Sequence, residues 1–407
     1  MLAIILAAGE GTRMRPLTHN CPKVMLPVLG KPILEHLIGS CVQAGISRVI
    51  IVTGYRGEAI RSYLGRLHLG AEIEYVKQEK QLGTADAINQ VRELVHERFL
   101  VLNGDSLVSP VTLKHLLTET WDYAPIIAVK RVKEPSNYGV VEVDGDSVLR
   151  IVEKPASPSS DLANIGTYVF NPTIFGHIDQ TKKSPRSEYE ITDTIQLLID
   201  HKEKVRCVDV EEPWIDLGRP WDLLNANELL LPTLESANEG IIEPLATLTG
   251  AVKIGRDSIV RNGAYIMGPA TIGEQCEIGP NCYIRPGTCI GNRVKIGNAV
   301  EVKNSIVMDD SKIGHLSYIG DSVIGERCNF GAGTLVANLR FDERPIKVGG
   351  IATGRRKLGV IMGDDVHTGI NSMINVGSSV GPSSIIGAGA LADGVYPPNS
   401  RIKLSLK

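Results

Sequence analysis

From Leu248 onward the chain keeps a six-residue beat, and no other feature narrows its possible folds as much. Aliphatic residues recur at Leu248, Ile254, Val260, Ile266, Ile272, Ile278, Ile284, Ile290, Ile296 and Val302. The beat slips to Val307, Ile313 and Ile319, slips again to Ile324, Phe330 and Val336, and resumes at Met362, Thr368, Ile374, Val380, Ile386 and Ala392. Neither the helical period nor the strand period satisfies that spacing. A parallel β-helix of hexapeptide repeats does. Each unit is one short strand and a corner, the aliphatic residue turns inward, and three units close a coil, giving roughly seven coils.

With 407 residues, the chain has room for two or three domains with cores of their own. A net charge of −3 offers no electrostatic footing for nucleic acid or an anionic membrane. The seven cysteines fall into no CxxC pair or zinc-type spacing, so neither a metal cluster nor a disulfide framework is indicated. The apolar start, Met1 to Ala8, lacks a basic flank and is short for a signal or membrane helix, so it is expected to be a buried strand. A cytoplasmic protein is the expectation.

Ahead of the repeat, strand-like and helix-like runs alternate. Strands are predicted at Ala3–Ala7, Arg48–Val52 and Phe99–Asn103, with helices from Pro32 to about Ala44 and from Thr84, the latter with Ile88, Val91 and Val95 on one face. Such alternation predicts a parallel sheet with helices on both faces and ligands beyond the carboxyl ends of the strands. After the first strand comes Ala8-Gly9-Glu10-Gly11-Thr12-Arg13. Its glycines let backbone N–H groups close on phosphate oxygens, and Arg13 adds a forked cation. No GK[ST] follows and the dinucleotide fingerprint is incomplete, so the loop is of neither common type. Lys23, in Pro22-Lys23, adds a second cation suited to a leaving pyrophosphate. Asn103-Gly104-Asp105 ends a strand on a carboxylate, and Asp216 in Trp214-Ile215-Asp216-Leu217-Gly218 offers another. Mg²⁺ takes one or two protein carboxylates plus substrate phosphate oxygens, which is the number present.

Gly9–Thr18 followed by Pro22-Lys23 resembles the signature of sugar-1-phosphate nucleotidylyltransferases, and the likeness spans residues 1–230. It implies that Ala8, Gly9, Gly11, Thr12, Gln78, Gly83 and Thr84 bind the nucleotide, UTP or dTTP. It further implies that Gly139, Glu153, Lys154 and Asn164 hold the sugar phosphate. In that chemistry a sugar phosphate oxygen attacks the α-phosphorus of the nucleotide, bringing two anions together. Catalysis is then alignment and charge cancellation by Arg13, Lys23 and Mg²⁺, with no general base required.

The β-helical repeat breaks where chemistry is expected. The position after the inward aliphatic residue, usually glycine, becomes Arg285 and then Lys303, and His315 sits at a nearby corner. Glu301-Val302-Lys303, Gly314 to Asp321 and Asn329 to Thr334 resemble the acetyltransferase half of bifunctional glucosamine-1-phosphate acetyltransferase/uridylyltransferases. That likeness implies His315 as general base at the amino-sugar nitrogen, a step that suits a neutral imidazole. Arg285 and Lys303 would grip the sugar phosphate, while Tyr318, Asn329 and Asn338 orient sugar and thioester. Ala332 and Ala388 would lie along acetyl-CoA. Left-handed coiling and a homotrimer with a shared site are also implied.

The chain departs from the bacterial pattern in two places. Leu339-Arg340-Phe341 replaces Asn-Tyr-Asp, opening an excursion over 339–359 with Arg340, Arg344, Lys347, Arg355, Arg356 and Lys357 against two acidic residues. A solvated charged loop is one reading of it, and a clamp for CoA phosphates or a neighbouring subunit is the other. Asp216 stands where that pattern has asparagine. The whole is most similar to archaeal-type bifunctional sugar-1-phosphate nucleotidylyltransferase/acetyltransferases. The expected architecture is an α/β, Rossmann-like nucleotidyltransferase domain over 1–230, a linker over 231–247, a left-handed β-helix over 248–395 and a tail over 396–407. The expected reactions are acetyl transfer to glucosamine 1-phosphate and uridylyl transfer to N-acetylglucosamine 1-phosphate. Two alternatives stand beside this: a glucose-1-phosphate thymidylyltransferase with a structural β-helix, and a nucleotide-sugar-binding paralogue without activity. Retention of Arg13, Lys23, Asp105 and Asp216 argues against the second.

Overall fold

Strand Leu2–Ala7 is unbroken aliphatic sequence, and both of its faces are covered. In a computed structural model describing residues 1–65, 67–119 and 124–404, it lies within a nine-stranded sheet. The spatial order is Glu72–Lys77, Arg48–Thr53, Leu2–Ala7, Phe99–Asn103, Leu162–Phe170, Ile126–Arg131, Arg206–Asp209, Ser147–Glu153 and Gly139–Asp144. Successive residues of Leu2–Ala7 feed opposite cores, as strand pleating requires. Ala3 and Ile5 pack with helices Ile33–Gln43, Gly57–Leu64 and Pro110–Thr118, whereas Ile4 packs with Thr84–Asn89, Ile174–Ile178 and Ile191–Asp200.

The first four strands of the order run parallel, as expected. Beyond them the sheet is mixed, which corrects the all-parallel expectation: Leu162–Phe170 runs antiparallel to both its neighbours. The cause is local. Gly139–Asp144 and Ser147–Glu153 form a hairpin between Ile126–Arg131 and Leu162–Phe170, so no helical crossover is available to bring the chain round for parallel pairing. The helix expected from Thr84 is also short. It ends at Asn89 and yields to a 3₁₀ turn at Arg92–Leu94, although Ile88, Val91 and Val95 share one buried cluster.

The repeat region is a left-handed parallel β-helix whose three faces are sheets of nine, nine and eight strands. Register stacks the inward residues coil over coil: Ile254, Ile272, Ile290, Val307, Ile324, Met362 and Val380 form one ladder. None of them is more than 2% exposed. Removing each such side chain from water is worth about 1.5–3 kcal/mol.

Two boundaries differ from the sequence expectation. Strands Ala237–Asn238 and Ile241–Ile242, inside the expected linker, already pair with Val252–Ile254 and Ile259–Val260. Val395–Tyr396 and Arg401–Ile402 carry two of the sheets into the expected tail, whose residues 405–407 lie outside those described. End coils have a neighbour on one side alone, so Ile242, in register with the inward Val260, is 36% exposed, and the inward aliphatic signal fades there.

The basic excursion is ordered. Leu339 bridges to Lys357, and strands Lys347–Val348 and Ile351–Ala352 form a hairpin. Its turn is Gly349-Gly350, with φ of 54° and 82°, a left-handed pair that glycine adopts at no steric cost. Among the described residues no helix is long and apolar enough to cross a membrane.

Contacts divide the chain into two compact units. Met1–Glu10, Pro22–Met25 and Ile33–Asp216 make one; Gly11–Cys21, Leu26–Pro32 and the chain from Leu217 onward make the other. Helix Asp222–Leu230 therefore groups with the β-helix.

Candidate active sites

In the sheet unit, Gly104 lets the chain end strand Phe99–Asn103 tightly against its neighbour. A Cβ at that position would stand 2.6 Å from the Leu6 carbonyl oxygen. The next residue, Asp105, is held by Lys23, with Nζ 2.5 Å from Oδ2 and the lysine side chain 9% exposed. Antiparallel pairing of Ser106–Leu107 with Ile215–Asp216 sets Asp216 opposite Ser106, so the two expected metal carboxylates lie on adjoining strands. Two carboxylates with a lysine against one of them form a donor set that fits Mg²⁺, whose other ligand positions go to phosphate oxygens.

The residues expected to bind the nucleotide, Gln78, Gly83 and Thr84, also come together. Gln78 is buried, and its Nε2 donates to Gly83 O (3.2 Å) and Asp86 Oδ2 (2.7 Å). Both partners are acceptors, which fixes the amide orientation and leaves Oε1 as the group's acceptor. Thr84 Oγ1 accepts from Ile191 N at 2.9 Å and so caps helix Ile191–Asp200. Ala8 is buried and its carbonyl accepts from Tyr55 N, while Gly9 is exposed with open space where a Cβ would be. Gly11 turns the chain at φ 67°, and its carbonyl accepts from Met14 N (2.9 Å) and Thr18 Oγ1 (2.8 Å). Thr12 and Arg13 follow in a 3₁₀ turn, both exposed, in the segment that groups with the β-helix.

Of the residues expected to hold the sugar phosphate, Gly139, Glu153 and Asn164 converge. A Cβ on Gly139 would stand 3.2 Å from Glu153 Oε2 and 3.5 Å from Asn164 Cβ. Asn164 Nδ2 donates to the buried Tyr168 hydroxyl (2.7 Å), and its Oδ1 accepts from Gly166 N (3.1 Å). Glu153 Oε1 meets Lys154 Nζ at 2.9 Å and Arg186 Nη1 at 3.3 Å, while Thr192 Oγ1 lies 3.4 Å from Oε2. Arg186, Thr192, Glu190 and Asp193 escaped the sequence reading, since only folding brings residues 184–193 back beside Glu153. Burial raises the Glu190 carboxyl above its ordinary range, partly offset by Arg186. Burial and then the charge of Glu153 raise Asp193 likewise.

On the β-helix, Arg285, Lys303, Tyr318 and Asn338 gather along one sheet. Arg285 Nη1 donates to Glu301 Oε1 (2.9 Å), and its guanidinium lies 5.6 Å from the Tyr283 ring centre. Lys303 Nζ is 3.1 Å from Asp321 Oδ2. Asn338 Nδ2 donates to Tyr318 Oη (3.0 Å) and to the same Asp321 oxygen (2.5 Å). Burial and then the Asp321 charge push the Tyr318 phenol up. Asp321, which no motif reading assigned a role, is the hub of this cluster.

His315 ends strand Lys312–His315 at an exposed corner before Tyr318–Gly320. Ala332 and Ala388 share that corner on later coils: Gly333 N donates to His315 O, Asn371 N to Ala332 O and Gly389 N to Ile370 O. Asn329 is exposed on another sheet, in register with Lys312 and His367, and is not gathered with Lys303. Within one chain, therefore, the imidazole stands at one edge of a face and the cations Arg285 and Lys303 at the other.

Residues 2–232 match the family model described as nucleotidyl transferase, and residues 266–395 match one described as the GMPPB C-terminal domain. A Methanocaldococcus jannaschii protein named bifunctional protein GlmU is 44% identical over 398 residues, 97% of this chain and 95% of that protein. A Sulfurisphaera tokodaii protein named bifunctional sugar-1-phosphate nucleotidylyltransferase/acetyltransferase is 40% identical over 401 residues, 97% of each chain. Among solved structures, a UDP-glucose pyrophosphorylase complexed with UDP-glucose superposes with TM-score 0.53 at 27% identity, covering 57% of this chain and 98% of that one.

Proposed function

The chain belongs to the nucleotidyl transferase family and, within it, to the bifunctional sugar-1-phosphate nucleotidylyltransferase/acetyltransferases, and from that we propose a division of labour between its two clusters. The acetyltransferase cluster moves an acetyl group from acetyl-CoA to glucosamine 1-phosphate. The nucleotidyl cluster joins the product to UTP, giving UDP-N-acetylglucosamine and pyrophosphate. The supporting observation is that one chain carries both groupings: Lys23–Asp105 beside Asp216, and Lys303–Asp321–Asn338–Tyr318, with His315 at the other edge of the same face. We divide the labour at about residues 230–237.

At the nucleotidyl cluster, Gln78 Oε1 faces a donor such as the N3–H of a pyrimidine, its own N–H groups being spent on Gly83 and Asp86. Glu153 and Asn164 take sugar hydroxyls, the Gly139 backbone makes room for the sugar, and Lys154 takes the phosphate. Asp105 and Asp216 would hold Mg²⁺, which when bound supplies charge cancellation on the triphosphate. Arg13 and Lys23 cancel the charge that remains as the new phosphoanhydride bond forms at the α-phosphorus and the bond to pyrophosphate breaks.

At the acetyltransferase cluster, Arg285 and Lys303 hold the sugar phosphate, with Tyr318 and Asn338 fixing the ring. His315 takes a proton from the amino group as its nitrogen attacks the thioester carbonyl, and the CoA sulfur leaves. Asn329 orients the thioester, and Ala332 and Ala388 border acetyl-CoA. Imidazole and cations stand at opposite edges of one face, which fits a site completed by a second copy. An exposed apolar ladder favours a homotrimer: Leu335, Met373 and Leu391 stack in register on successive coils below Tyr318, at 51%, 45% and 51% exposure. Substrates of these classes support a cytoplasmic reading.

A panel of UTP and dTTP against N-acetylglucosamine 1-phosphate and glucose 1-phosphate tests the assignment, alongside free-thiol release from acetyl-CoA. The proposal expects pyrophosphate from UTP with the acetylated sugar, and thiol release dependent on glucosamine 1-phosphate. Asp105→Ala should abolish pyrophosphate release; retained turnover would remove the metal assignment. Turnover confined to dTTP with glucose 1-phosphate, without thiol release, would favour the thymidylyltransferase alternative.

A further inference from the structure

A chain of hydrogen bonds, longer than either cluster needs, joins helix Asp222–Leu230 to Lys303. Glu228 Oε1 accepts from Arg355 Nη2 (2.6 Å) and from Asn304 Nδ2 (3.0 Å). The same Asn304 nitrogen donates to Asp321 Oδ1 (2.8 Å), while Asp321 Oδ2 holds Lys303 Nζ (3.1 Å). Arg355 Nη1 donates to Asn225, one turn earlier on the helix. Together with Arg356 and Lys357 these groups line a cavity of about 520 Å³.

Donors and acceptors alternate along the chain without a gap. Asn304 has two N–H bonds and spends one on each carboxylate, so its orientation depends on both being present. The Asp321 side chain is 3% exposed, and a carboxylate so buried is costly unless its lone pairs are filled. Without Glu228, Asn304 would be free to rotate away and Asp321 would lose a donor. Lys303 would then be held by an ion pair whose acceptor is no longer fixed.

We propose that Glu228 is a positioning residue for acetyl transfer, acting through Asn304 and Asp321 to set where Lys303 holds its ammonium for the sugar phosphate. This rests on Lys303 being the phosphate ligand. Part of the basic excursion thereby gains a role, because Arg355, with its side chain 12% exposed, pairs with Glu228 and braces the helix.

The experiment uses the full-length chain and the variants Glu228→Ala, Glu228→Gln, Asn304→Ala, their double mutant and Lys303→Ala. Free-thiol release is titrated with glucosamine 1-phosphate and with acetyl-CoA, and pyrophosphate release is measured in parallel. Glu228→Ala and Asn304→Ala should each raise KM for glucosamine 1-phosphate about five- to tenfold, with KM for acetyl-CoA and pyrophosphate release unchanged. Their double mutant should be no worse than either single, because both break one relay. Glu228→Gln keeps an acceptor oxygen and should recover part of the loss; it carries the test alone if the alanine variant fails to fold. An unchanged KM in these variants, while Lys303→Ala raises it, would overturn the positioning role and leave the site intact. Additive losses, or equal losses in every kinetic parameter, would also overturn it. No effect of Lys303→Ala would remove the reading on which the proposal stands.

Discussion

Gly83 shows how much a single residue decides in the nucleotidyl cluster. Its φ is +119°, and a Cβ there would stand 2.7 Å from the Tyr189 nitrogen, in backbone that cannot step aside. Gly83→Ala should cost about 2–4 kcal/mol, read as a fall in urea midpoint at unchanged slope. A midpoint equal to that of the parent would mean the turn is looser than its geometry. At the same scale, Cys41, Cys282 and Cys328 are buried and desolvation pushes their thiols up to about 12, whereas Cys21 is half-buried. Mild alkylation of the native protein should therefore label Cys21 and spare those three, and mass spectrometry of the digest checks it. Candidate site residues were legible in sequence where they sit in a short motif, as with Gly9 to Thr18 and Lys23. Arg186, Thr192 and Asp321 were not, because their partners are distant in the chain or because an aspartate at a corner looks like any other turn residue.

Elements were legible in proportion to their periodicity. Every inward position of the repeat from Ile254 to Ala392 is buried, since each side chain is enclosed by the coils above and below. Ile296→Ala, between Ile278 and Ile313 in one ladder, should destabilise by about 2–5 kcal/mol; a calorimetric change under 1 kcal/mol would contradict close packing there. The end coils escaped because a coil with one neighbour need not carry a buried aliphatic residue. The mixed sheet was not legible in the alternation of the first strands and helices, because it arises in the stretch from Ile126 to Phe170, which supplies strands but no crossover helix. The excursion's charge was plain in sequence, but its use was not. Arg340 pairs with Asp342 and Arg356 with Glu343, while Arg355 turns to Glu228, a partner 127 residues away.

At the scale of the whole molecule, the proposed function rests on two separate reaction centres in one chain. The β-helix offers a ladder of exposed apolar side chains in line with Tyr318, the surface on which the proposed homotrimer rests. Met373→Lys should convert a trimer to monomer by light scattering and remove thiol release while pyrophosphate release persists. A monomeric parent with full acetyl transfer would contradict the shared site. The most direct test of two independent centres is a reciprocal pair, Asp105→Ala and His315→Ala, each assayed for both products in the same preparation. The first should lose pyrophosphate release and keep thiol release, and the second the reverse. If either substitution silences both activities in a folded, assembled protein, the two-centre account is wrong.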